Sequence, residues 1–205
     1  MSPRRPDMPR LDRADLMGDP IAQFSAWWTD AEGVPLREAM TLATVDSDGR
    51  PDARMVLLKG FGAVGFRFFT NYESAKAAQL DAAGHAALVL YWRELDRQVR
   101  VRGPIVRLDA AGSDEYFATR PRDSQLGAWA SPQSRPIADR AELDTRLAEA
   151  AKRFDGLTVD RPEHWGGYVV RHETVEFWQG QVGRLHDRFR YRMEGNEWKI
   201  ERLGP

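Results

Sequence analysis

Apolar and polar residues alternate with a period of two through most of this 205-residue chain, with stretches of helical spacing set between them. Residues 40–45 (MTLATV), the turn DSDGR and residues 52–58 give a hairpin signal, because Asp-Gly supplies the turn between two extended runs. Residues 55–58 are a short apolar run, and residues 64–70 are Phe-rich and bounded by glycine. Their spacing suggests a second hairpin across Gly60, Phe61 and Gly62. Residues 71–74 (NYES) are turn and cap chemistry, and residues 75–80 (AKAAQL) favour helix, so three strands are expected before it. Further strands are expected over 85–92, 97–108, 165–171, 174–179, 183–192 and 197–203. Pro104 suggests an edge or a bulge in the second of these. Helices are expected over 20–32, packed on the barrel, over 109–120, and over 139–154 behind an Asp139 cap. Residues 126–137 read as a loop holding a buried-looking Trp129. Residues 1–19 are rich in Arg, Pro and Asp and read as a disordered tail, leaving 20–205 as one domain. About eight short strands with two or three helices fit a mainly β (α+β) fold, a small barrel with helical additions.

Composition narrows the classes. Hydrophobic residues are 42% and charged residues 30%, ordinary for a globular chain, and the formal net charge of -1 calls for neither nucleic acid nor an anionic membrane. Four residues are Lys (Lys59, Lys76, Lys152, Lys199), so 26 of the 30 basic residues are Arg, the side chain suited to bidentate anion recognition. The absence of Cys excludes disulfides, thiolate catalysis and Cys-ligated zinc, and is compatible with a reducing cytoplasm; no metal is expected. No apolar run approaches the ~18 residues of a membrane span, and none follows the basic N-terminus as a signal peptide requires.

Three clusters carry candidate chemistry. A helix start with open backbone N–H groups, Ser74 and Lys76 is a ready anion site, and Arg54 and Lys59 at the ends of one strand could add two cations. Solvated charges on a surface hairpin are the alternative. Tyr116 and Arg120 are four apart on one helix face, and Ser124 follows Pro121; together they could clamp a phosphate, or form only a surface Tyr–Arg stack. On a strand over 183–192, Arg184, His186 and Arg188 would share one face with few carboxylates nearby, which is unfavourable unless an anion sits there. Solvent exposure is again the alternative. Leu143, Leu147 and Ala151 make an apolar stripe suited to core or interface.

The segments RMVLLK, FFTNYESAK, DRQV, YFATRPRDSQLGAWASPQS, WGGYVV, VEFWQG and RLHDRFRYR, in this order, resemble pyridoxine/pyridoxamine 5′-phosphate oxidase, the FMN-dependent oxidase of vitamin B6 metabolism. The resemblance runs from about Met40 to Pro205 and implies an FMN-binding split β-barrel, a cytoplasmic homodimer and FMN at the subunit interface. It implies FMN contacts from Arg54, Met55, Val56, Leu57, Leu58, Lys59, Phe69, Thr70, Ser74, Lys76 and Gln98. It implies others arriving from the partner subunit: Gln133, Ser134, Trp178 and Arg188. Lys59, Tyr116, Arg120 and Ser124 would clamp the substrate phosphate, and Arg184 and His186 would meet the substrate ring as catalytic residues. The implied reaction passes a hydride from C4′ of pyridoxine or pyridoxamine 5′-phosphate to flavin N5. Oxygen then reoxidises the flavin and gives hydrogen peroxide. Two departures stand out. Ala75 replaces an Arg of the family's Ser-Arg-Lys segment, and residues 1–19 hold no Tyr of the kind that helps cover the substrate. Strict alternation would also put Arg54 and Lys59 on opposite faces, so a twist or bulge is expected between them. Two alternatives remain: a related flavin oxidase acting on another ring, such as a phenazine precursor, and a non-enzymatic FMN- or pyridoxal-phosphate-binding protein.

Overall fold

The computed structural model describes residues 9–205. Five α-helices and ten strands follow one another as α1 (Pro20–Asp30), β1 (Ala39–Val45), β2 (Pro51–Leu57), β3 (Gly60–Gly62), β4 (Gly65–Asn71), α2 (Ala75–Ala83), β5 (His85–Trp92), β6 (Arg97–Arg107), α3 (Ala110–Ala118), α4 (Arg122–Ala130), α5 (Arg140–Arg153), β7 (Trp165–Val170), β8 (Thr174–Gln179), β9 (Asp187–Glu194) and β10 (Glu197–Arg202). All pairing is antiparallel, in the order β10-β9-β8-β6-β5-β1-β2, with β7 joining β6 to β4 and β4 joining β3. The expected split barrel is therefore present.

The long strand β6 makes the split. Its first half pairs with β8 and its last three residues pair with β7, while β5 runs along its other side. Pro104, expected at an edge or a bulge, lies at this change of partner within an interior strand, where its missing N–H costs least because the ladder is being handed over. Gly103 beside it is required, because a Cβ there would stand 1.8 Å from the Arg171 carbonyl oxygen.

Inward-facing residues of the barrel strands, among them Met40, Leu42, Phe66, Phe68, Leu88, Val101, Phe177 and Tyr191, form the main core, which α1 closes with Phe24 and Trp27. The ring of Phe24 meets Phe61, Phe66 and Trp92. A second, smaller core of Phe117, Leu126, Ala150, Phe154 and Trp165 sits under α3–α5 against β7.

Several expectations need correction. The first hairpin pairs β1 with β2, as expected, but the run 55–58 does not pair with 64–70. Residues 60–62 are themselves strand β3, and β3–β4 turns at Ala63-Val64, so four strands precede α2. Of the loop expected over 126–137, residues 126–130 belong to helix α4 and only 131–137 are irregular; Trp129 is half-buried, packed on Phe154 and donating to the Asp160 carbonyl. The stripe on α5 is largely exposed, so of core or interface it is not core: Leu147 and Ala151 face outward and only Ala150 is buried. Of the expected tail, residues 1–8 lie outside the described residues, and the rest is placed. Leu11 and Leu16 are buried, and the Tyr191 hydroxyl donates to the Met17 carbonyl.

Candidate active site

The end of β2 builds the first half of the site. Sheet pairing leaves one edge of β2 open, and the chain then changes partners: Leu58 N–H donates to Glu38 O and Lys59 N–H to Arg67 O. This hand-over from β1 to β4 is the twist that aims Lys59 beside β4. Phe69 and Thr70 face the same space from β4, opposite Gly167 and Gly166 of β7. A Cβ at Gly167 would meet the Phe69 ring at 2.9 Å, so the glycine lets that ring lie flat. Phe69 stacks on Tyr116 (4.0 Å between centroids) and on Trp165 (5.3 Å).

The α3–α4 corner brings in the second wall. Pro121 ends α3 and also opens α4, which places Ser124 in the first turn of α4, one corner away from Tyr116 and Arg120. A cleft of about 480 Å³ results, lined by Met55, Val56, Leu57, Lys59, Phe69, Thr70, Lys76, Tyr116, Arg120, Ser124 and Gln133 among others. Among the described residues no carboxylate lines it, although Lys59, Lys76 and Arg120 do. Nη1 of Arg120 is buried without a hydrogen-bond partner, and the guanidinium lies over the Trp165 ring at 4.6 Å. Burial holds Arg120 below its ordinary pKa, opposed by the neighbouring Tyr116, and pushes the Tyr116 hydroxyl up, opposed by Arg120. Burial, then the charge of Arg54, pulls Lys76 down. These are cations held in place before any anion arrives.

Lys76 Nζ donates to Gln133 Oε1 at 2.7 Å, and Thr70 Oγ1 donates to the same atom at 3.0 Å. Gln133, expected from a partner subunit, is thus already in its own chain's cleft. It is carried by a tight turn in which Ser134 is exposed and takes a left-handed backbone (φ 69°). Two other expected ligands are differently employed. Ser74 is fully buried, donating to Asn71 O and capping Ala77 N–H, so its hydroxyl shapes the start of α2. Arg54 donates to Thr44 Oγ1 (2.6 Å) and Gln79 Oε1 (2.8 Å) and pairs with Asp52, close enough to act on Lys76 while not lining the cleft. Leu58 is buried and contributes packing. The first N–H groups of α2, at Ala75 and Lys76, have no intrahelical acceptor. With Lys76, Gln133, Thr70 and the open edge of β2, they suit the phosphate and ring of a flavin mononucleotide. The missing Arg at Ala75 leaves this donor set intact.

The remaining expected residues lie elsewhere. Gln98, Trp178 and Arg188 are cross-strand neighbours on β6, β8 and β9. Trp178 is four inter-strand steps from β2, roughly 20 Å along the curved sheet at about 4.8 Å per step. His186 packs against Trp178 at 4.7 Å. Arg184 and His186 precede β9, so they do not share a strand face with Arg188 as expected; Arg184 is exposed in a turn with φ 63°. The arginines of β9 also have partners that spacing did not reveal. Arg188 makes two bonds to Glu176, which Arg100 pairs as well, and Arg190 pairs with Glu201. Those carboxylates come from β8 and β10, so no anion is needed to settle the charges.

Residues 30–154 match the family model of pyridoxamine 5′-phosphate oxidase, and residues 165–205 match that of the pyridoxine 5′-phosphate oxidase C-terminal dimerisation region. A pyridoxine/pyridoxamine 5′-phosphate oxidase of Salinibacter ruber is 52% identical over 200 residues, covering 95% of this chain and 93% of that protein. One of Rubrobacter xylanophilus is 55% identical over 189 residues, covering 91% and 87%. Among solved structures, PhzG from Burkholderia lata 383, in complex with tetrahydrophenazine-1-carboxylic acid, aligns with a TM-score of 0.91 and 32% identity, covering 97% of this chain and 98% of that one. The fold, the cation-lined cleft and these matches along nearly the whole sequence agree: the chain belongs to the pyridoxine/pyridoxamine 5′-phosphate oxidase family of FMN-dependent oxidoreductases.

Proposed function

We propose that this chain oxidises pyridoxine 5′-phosphate and pyridoxamine 5′-phosphate to pyridoxal 5′-phosphate, as a homodimer with FMN between the subunits. The observation that carries the proposal is the cleft in which Lys59, Tyr116, Arg120 and Ser124 converge with no carboxylate and with Arg120 Nη1 buried and unpartnered. A cation desolvated in this way is stabilised by an incoming dianion, and a phosphate monoester is the anion that three or four such donors fit. The chemistry FMN supplies when bound is acceptance of the C4′ hydride at N5 and its discharge to O2 as hydrogen peroxide.

The chain's own residues do the rest. Lys76, Thr70, Gln133 and the α2 N-terminus hold the flavin, and Lys59, Tyr116, Arg120 and Ser124 anchor the substrate phosphate, which fixes where C4′ lies. Tyr116, its pKa raised by burial, stays protonated and donates through the neutral range. Neither Arg184 nor His186 lines the same chain's cleft. A second copy would bring its strip of Gln98, Trp178, Arg184, His186 and Arg188 to this cleft, and the match of residues 165–205 to a dimerisation region supports that arrangement.

The test is anaerobic. The FMN-loaded protein is mixed with pyridoxine 5′-phosphate, and separately with unphosphorylated pyridoxine. The proposal expects bleaching of the flavin by the phosphate ester alone, recovering in air. Bleaching by a phenazine precursor and by neither B6 compound would replace it with the activity suggested by the likeness to PhzG. Tight binding of both FMN and the ester without bleaching would leave a binding protein.

A further inference from the structure

The segment that carries Arg184 and His186 lies outside the sheet, between β8 and β9. It is tied down through one carboxylate. Oδ2 of Asp187 accepts from the backbone N–H of Leu11 at 3.1 Å and from Gln181 Nε2 at 3.0 Å. Its Oδ1 accepts from Arg202 of β10 at 2.8 Å, and the Asp187 side chain is only 13% exposed. Arg202 also donates to the Leu11 carbonyl and pairs with Asp12, and Gln181 Nε2 reaches the Pro9 carbonyl. Asp187 therefore joins the N-terminal segment, the 181–186 turn, β9 and β10.

This junction controls a ring nitrogen. The backbone N–H of Gln181 donates to Nδ1 of His186 at 3.1 Å, while the Trp178 ring covers the imidazole. A ring nitrogen that accepts carries no proton, so the neutral imidazole holds its proton on Nε2. Arg184, two residues earlier, is held in a left-handed conformation that is strained for a residue with a Cβ. Such a turn persists only when its surroundings fix it, and the Asp187–Gln181 contact is what spans it.

We propose that Asp187 is a positioning residue for the substrate. By gripping Gln181 and residues 9–12 it holds the turn that fixes the His186 ring with its proton on Nε2 and sets where Arg184 stands against the substrate ring. The inference rests on the oxidase reading for its substrate, but its geometric core concerns the His186 tautomer and can be read without turnover.

The experiment compares wild type with Asp187→Ala, Asp187→Asn and Gln181→Ala. Four quantities are read: kcat and KM for pyridoxine 5′-phosphate, FMN affinity by fluorescence titration, the melting temperature, and the 15N signals of His186. Asp187→Ala is expected to raise KM about ten- to a hundredfold, to leave FMN affinity within about twofold, and to turn the single Nε2–H signature of His186 into a mixture of tautomers. Asn keeps an acceptor oxygen for Leu11 and Gln181 and should restore most of the loss; Gln181→Ala should show the same pattern, weakened. A drop in melting temperature with KM and the His186 signals unchanged would reduce Asp187 to a structural ion pair and overturn the inference. An inactive wild type whose His186 signals still respond to Asp187→Ala would sink the oxidase reading while upholding the positioning of the turn.

Discussion

The cleft and the β8–β9 strip hold comparable numbers of arginine and lysine, yet they are electrostatically opposite. In the cleft, Lys59, Lys76 and Arg120 meet no carboxylate, and burial lowers the pKa of two of them. In the strip, Arg188, Arg190 and Arg100 are matched by Glu176 and Glu201 on neighbouring strands. The difference separates a binding site from a structural surface. Charge that is desolvated and unpaired is poised for a ligand, whereas charge already paired across a sheet stabilises the fold modestly. It also assigns different work to the two regions, with the cleft gripping anions and the strip supplying ring contacts to a neighbour.

The comparison can be broken most sharply at Arg120. Removing it should raise KM for pyridoxine 5′-phosphate about tenfold to a hundredfold, the worth of a charge-assisted bond to phosphate. FMN content should stay near normal, and steady-state kinetics with a flavin assay would show both. Arg184→Ala should instead cut turnover while the flavin stays bound; unchanged turnover would remove its assigned role. Next in size is Arg188→Ala, which should lower the flavin retained after gel filtration and leave Glu176 with Arg100 alone. The smallest effect concerns Lys76. Its folded pKa is depressed by burial, so the folded state disfavours its charge at neutral pH, where the unfolded chain is also protonated. That destabilisation fades as pH rises through the lowered folded value toward the ordinary 10.5. Lys76→Gln should therefore raise the melting temperature of the flavin-free protein at pH 7, with the gain vanishing at high pH, while weakening FMN binding. A lower melting temperature at pH 7 would mean that the lysine is paired in a way that the cleft does not show.

Much of this organisation was legible in the chain. The expected strands 85–92 and 174–179 match β5 and β8 to the residue, β5 as a continuous apolar run whose alternate residues are buried. The spacing of Tyr116, Arg120 and Ser124 around Pro121 groups them in the sequence without revealing α4, because a proline that stops one helix is equally fit to open the next. Spacing puts Arg184, His186 and Arg188 on one face, but it cannot show which strand lies alongside, so Glu176 is invisible in the sequence as the partner of Arg188. The 183–186 turn was read as strand because Arg-Leu-His-Asp alternates; the left-handed residues Gly183 and Arg184 interrupt it. Nor could sequence reveal that Ser74 is used up as a cap, since cap and ligand demand the same hydroxyl.

The central claim is that the cleft of one chain works with the strip of another. Co-expressing Arg120→Ala chains with Arg184→Ala chains tests it directly, because a mixed dimer then contains one site made wholly of unaltered residues. Assayed well below the wild-type KM, each variant alone should be nearly inactive, and the random mixture should recover about a quarter of the wild-type kcat/KM, as two-fold symmetry requires. No recovery, from chains shown to form mixed dimers, would place both halves of the site within one chain and contradict the account.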